Sequence, residues 1–137
     1  MINATDLRIN NWVHANTPVM QVKEIYEHSV GLYMPGSESD NFNYPVEQLQ
    51  GIPLTPEILE KCGFTKSSNG LYFDNYRLSN GYGIAHCIEN TNTDAEGRPY
   101  HTKGSFYCGT TEREIKYLHR LQNLVYEICD YELNYAP

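Results

Sequence analysis

No two cysteines in this sequence stand close enough to form a CxxC unit: Cys62, Cys87, Cys108 and Cys129 are each more than 20 residues from the next. That spacing excludes a zinc knuckle and a thioredoxin-type redox pair, and the four are expected to be buried thiols of a cytoplasmic protein. No apolar run reaches the roughly 18 residues of a membrane-spanning helix, so no membrane partner is expected. "MINATDLRIN" has neither a basic n-region nor an apolar h-region, and no secretory signal is read in it. Basic charge is scarce. Ten Lys and Arg against 17 Asp and Glu leave a net charge of −7, and the cations are scattered, which argues against bulk nucleic acid as a partner. P-loop, dinucleotide fingerprint and GxSxG elbow are all missing, and no two of His14, His28, His86, His101 and His119 share ligand spacing on one element. No metal, cofactor or catalytic residue is expected on these grounds.

What is present is enough for a core. A chain of 137 residues can bury roughly two-thirds of its unfolded surface. Tyrosine is abundant, at 12 residues, and suits either a recognition surface or a strand-rich fold. "LRINNWV", "VMQVKEIY" and "VGLYMP" alternate apolar and polar positions, with turns at "ANTP" and "EHS", as in an antiparallel meander. "PGSESDNFNYP" reads as a polar surface loop before one short strand in "YPVEQL". Residues 1–52 are thus predicted to form a small barrel-like (SH3-like) antiparallel subdomain.

Residues 53–137 are predicted to hold a short linking helix, a three-stranded antiparallel sheet and a long C-terminal helix packed on it, giving an α+β protein. In "IPLTPEILEKCGF", Thr55 is an N-cap, Pro56 the first helical residue and Gly63 the terminator, with Leu54 and Leu59 at staple positions. The strands are "GLYFDNYRLS", "YGIAHCIE" and "KGSFYCG". A capping box from Thr111 to Glu114, with Glu112 beside it, is read as the start of the last helix. Its buried stripe of Ile115, Leu118, Leu121, Val125 and Ile128 would extend over about 20 residues and roughly 30 Å.

Two places concentrate polar chemistry. The loop over 90–102 alternates Asn90, Asn92, Asp94 and Glu96, yet His101 stands where a calcium loop needs its twelfth-position carboxylate. The same region offers Arg98, Tyr100, His101, Lys103 and Tyr107, able to clamp a small anionic or nucleotide-like ligand; a plain hairpin tip is the alternative. On the last helix His119, Gln122, Asn123 and Tyr126 form a polar stripe at three, four and seven. Lys and Glu would fill a merely solvated stripe, so internal hydrogen bonding is expected, with His119 and Asn123 as ligand contacts in the alternative.

"DLRINNWV", "IPLTPEILEKCGF" and "YLHRLQNLVYEI" together resemble a family of small proteins of Bacteroides-type gut bacteria, their phages and mobile elements, which carry blocks such as "LRIGNWV", "IPLTEEWLLKFGF" and "YVHQLQNLYFAL". The resemblance spans most of the chain in order. It implies a phage- or element-encoded accessory protein in the cytoplasm of a bacterial host, non-enzymatic, acting in anti-defence by sequestering a nucleotide-type signal or by masking a host protein. The alternatives are a metal-dependent nuclease or phosphodiesterase and a homo-oligomeric assembly protein.

Overall fold

A computed structural model describes residues 2, 4–15, 19–34, 37–91, 93–98, 100–108 and 113–137. The turn read at Asn16–Pro18 lies outside these residues. The fold is mixed α+β, with two five-stranded antiparallel sheets and two α-helices among the described residues. Two compact units divide the chain: residues 1–53 with 117–137, and residues 54–116.

In the first unit β1 (Trp12–Ala15), β2 (Val19–Ile25), β3 (Ser29–Met34), β4 (Ser37–Pro45) and β5 (Leu49–Gln50) form a curled half-barrel in the order β4, β3, β2, β1, β5. Alternation dictates its filling: Val13, Ala15, Met20, Val22, Val30, Leu32 and Leu49 make one aliphatic cluster, joined by Ile2, Leu7 and Val46. Register shifts at Val22/Glu24 and Tyr33/Met34 add local twist. β4 corrects the reading of "PGSESDNFNYP" as a loop. Its neighbour β3 supplies a ladder, including Val30↔Tyr44 and Leu32↔Phe42, and an edge strand needs only one paired side, so a polar composition does not forbid it.

The last helix, α2 (Leu118–Cys129), belongs to this first unit, whereas the sequence predicts it on the second sheet. It also starts later than expected. Glu114 and Ile115 pair as a strand with Tyr107 and Phe106, which removes Glu114 from any capping box; Thr111 and Glu112 lie outside the described residues. The true start has no side-chain cap at Tyr117, and instead the Leu118 N–H donates to the Ile52 carbonyl at 2.9 Å. A long-range carbonyl thus does the work of a cap, and no local motif announces it. Leu118, Leu121 and Val125 are buried as expected, but Ile128 is 59% exposed and drops off the stripe.

The second unit opens with α1 (Pro56–Lys61). Thr55 accepts from the Ile58 N–H at 3.2 Å, Pro56 stands in the first turn, Gly63 takes φ +95, and Leu54 and Leu59 are both buried. Thr55→Ala should cost about 1 kcal/mol in a denaturant titration, the usual worth of such a cap. The sheet is a plain meander of β6 (Thr65–Asn69), β7 (Phe73–Arg77), β8 (Gly83–Cys87), β9 (Phe106–Cys108) and β10 (Glu114–Ile115). It has five strands rather than the three expected, because the polar run "TKSSN" and the dipeptide at 114–115 are edges that periodicity does not mark.

Candidate functional site

In the second unit the 88–105 connection is folded back on itself. Its ends are held by β8 and β9: the Cys87 N–H donates to Ser105 at 2.9 Å and the Gly104 N–H to Cys87 at 2.8 Å. Side chains stitch the interior. Asn90 Oδ1 accepts from the Lys103 N–H at 2.8 Å, Thr91 Oγ1 from the His101 N–H at 2.9 Å, and Asp94 Oδ1 from the N–H groups of Glu96 and Arg98 at 2.9 and 3.1 Å. The oxygens of Asn90 and Asp94, which suggested a calcium loop, are therefore directed at the loop's own amides, and Asn92 lies outside the described residues. Among the described residues no three His, Cys, Asp or Glu side chains gather closely enough to hold a metal ion.

His101 and Tyr107 are the footing of this loop. The His101 ring meets Tyr107 edge-on at 4.6 Å and Phe73 at 5.2 Å, while the buried Tyr107 hydroxyl accepts from the Thr102 N–H at 2.9 Å. Arg98, Tyr100 and Lys103 are exposed. Arg98 pairs with Glu96, and Lys103 stands 4.0 Å from Glu89, so the loop offers little unpaired positive charge. Tyr100 is 66% exposed. Sequence reasoning missed Leu71, 78% exposed, and Tyr72, also exposed, in the turn between β6 and β7. The Ile88 N–H donates to the Tyr72 carbonyl at 2.8 Å and the Phe73 ring meets that of His101, so this turn is tied to both ends of the loop. The signal was available: Gly70, whose N–H closes onto the Phe73 carbonyl at 2.7 Å, makes "NGLY" a turn and leaves its leucine no strand face to occupy.

His119 and Asn123 sit in the first unit, so the seven candidate residues do not share one unit. There the polar stripe bonds to its own chain. Gln122, fully buried, accepts from the Trp12 N–H at 2.9 Å and donates to the Asn10 carbonyl at 3.0 Å. Asn123 accepts from Asn11 Nδ2 at 2.8 Å and Arg8 Nε at 3.2 Å, and donates to the Asp6 carbonyl at 2.6 Å. Buried polar groups need such partners, and the arrangement ties "DLRINNWV" to "YLHRLQNLVYEI". His119 differs. It is buried against Tyr117, its Nδ1 has no partner among the described residues, and burial pushes its pKa down to about 4.

His86, Asp74, Cys62 and Cys87, groups of types suited to acid–base or nucleophilic work, are engaged or buried. His86 stacks on Phe106 at 4.4 Å, burial lowers its pKa, and Asp74 across the strand pairs with Lys66 at 3.3 Å. Burial pushes the Cys62 thiol up to about 12 and raises that of Cys87, the opposite of an activated nucleophile. Among the described residues no helix is long and apolar enough to cross a membrane. Compared with known proteins, the chain matches no family model, no curated protein and no solved structure.

Proposed function

We propose that the chain is a non-enzymatic accessory protein of a phage or mobile element, working in the cytoplasm of a bacterial host by masking a host protein. The observation that carries this reading is the exposure of Leu71 and Tyr72, in a turn tied to the ends of the loop, and of Tyr100 on the loop itself, whose backbone is stitched by its own side chains. Exposed leucine and tyrosine on a pre-ordered frame suit contact with a protein at small entropic cost. Sequestration of a small anionic ligand is the weaker form, because Glu96 pairs with Arg98 and Glu89 stands near Lys103. The phage or element setting rests on the resemblance of the three sequence blocks.

Arg98→Ala combined with Tyr100→Ala tests the reading. Both side chains are exposed, so thermal stability should change by no more than about 0.5 kcal/mol per site while the effect on the host is lost. Native mass spectrometry of the protein isolated from its host should show a protein partner that the variant lacks. A nucleotide-sized adduct in place of that partner would establish the sequestering form, and an unaltered partner on the variant would remove the loop from the interface.

A further inference from the structure

The segment that follows α2 sits on the first unit as a docked peptide would. Asp130 takes left-handed φ 50, ψ 41 and breaks the helix, and residues 131–137 enter no helix or strand. Leu133 is nevertheless only 1% exposed. Before it, Glu132 forks onto Arg8 with bonds of 2.8 and 2.6 Å and accepts from Asn10 Nδ2 at 3.0 Å. After it, Tyr135 meets the Trp12 ring edge-on at 5.5 Å. Tyr131 and Asn134, which flank the anchors, are exposed. A charged fork, an aliphatic plug and an aromatic edge, carried on a segment outside any helix or strand, are the parts of peptide recognition.

The receiving residues are held independently of this segment. Arg8 donates from Nε to Asn123 and lies 4.2 Å over the Tyr126 ring. The Asn10 N–H donates to the Val22 carbonyl at 2.8 Å, its carbonyl accepts from Gln21 and Gln122, and Trp12 is fixed in β1 with its N–H on Gln122. With the segment removed, the receptor would keep its shape and lose only its occupant. From this we infer that Arg8, Asn10 and Trp12 form a peptide-binding site, filled in cis by residues 132–135. In trans it takes a segment of a partner protein bearing an acidic residue, then an aliphatic one, then an aromatic one two positions on. The tethered segment competes at high effective concentration, so the site opens to a partner only when the tether is weakened or outcompeted.

The probe is the fluorescein-labelled heptapeptide YELNYAP, followed by anisotropy against the full chain and its Leu133→Ala/Tyr135→Ala variant. The variant should bind saturably and at least about tenfold more tightly than the parent, which carries the intact competitor. Adding Arg8→Ala, or replacing the peptide's glutamate by alanine, should abolish that binding. A folded variant that ignores the peptide overturns the inference. A variant that fails to fold does so too, since the segment would then be core rather than ligand. A concentration-dependent dimer that Arg8→Ala dissolves would make a second copy the occupant and remove the foreign partner.

Discussion

Gln122→Ala should destabilise the protein by about 2–4 kcal/mol, the sum expected for a cavity and for a buried amide left without its acceptor. Gln122 is fully buried between α2 and β1, and its Oε1 receives the Trp12 N–H. Removing it strands that donor, because the side of β1 that carries this amide faces the helix. The Asn10 carbonyl suffers less, since Gln21 Nε2 still reaches it at 3.1 Å. Gln122→Glu is the informative companion. It keeps the acceptor and the volume but loses the donor to Asn10 and adds a buried charge, so it should also destabilise. Urea titration followed through Trp12, the single tryptophan, reads the first unit directly. A loss under about 1 kcal/mol for Gln122→Ala would show that the seam tolerates an unsatisfied amide and that the stripe is not what holds α2 to β1.

The second large effect is loss of stability in mild acid. His119 is buried and neutral, its pKa lowered from the ordinary 6.5 to about 4 by burial first and by the Arg120 charge second, with Asp6 acting the other way. In the unfolded chain the same imidazole takes up a proton as pH falls through 6.5, while the folded chain refuses it until about 4. Stability is therefore complete above pH 6.5 and declines by about 3 kcal/mol on the way down to pH 4. Glu132 titrates elsewhere: its hydrogen bonds from Arg8 hold its carboxyl below the usual value, so its contribution persists above about pH 4.5 and disappears only as pH falls through the lowered value. His119→Leu should flatten the profile between pH 6.5 and 4.5 and leave the lower limb. A variant with an unchanged slope would show that His119 finds a proton acceptor in the folded protein.

Much of the architecture was legible because it is local. Period-two alternation marked β1, β2 and β3, and Thr55, Pro56 and Gly63 marked α1 at both ends, since caps and turns are decided by residues within a few positions of each other. The 90–102 loop was marked by its density of Asn, Asp, Thr and Gly. Its internal stitching was not, because the same oxygens that bond the loop's own amides could equally have served a cation. The helix start was misplaced for a related reason: Thr111 and Glu114 satisfy a local rule, but Glu114 and Ile115 are drawn into pairing with β9, and Leu118 is capped by Ile52 from far away in sequence.

By itself the sequence determined the class of fold, the aliphatic filling of the half-barrel, the short helix with its caps, and the presence of a polar stripe on the final helix. These follow from composition and periodicity, which act over a few residues. Tertiary structure alone decided which unit receives α2, that Gln122 and Asn123 address Trp12, Asn10, Asn11 and Asp6, and that His101 and Tyr107 support the loop while Tyr100 is exposed on it. It alone placed Glu132 on Arg8 and Tyr135 on Trp12. The pairs that join α2 and the segment after it to residues 6–12 lie more than 100 positions apart, and such contacts depend on how loop closure and burial settle together rather than on any local preference.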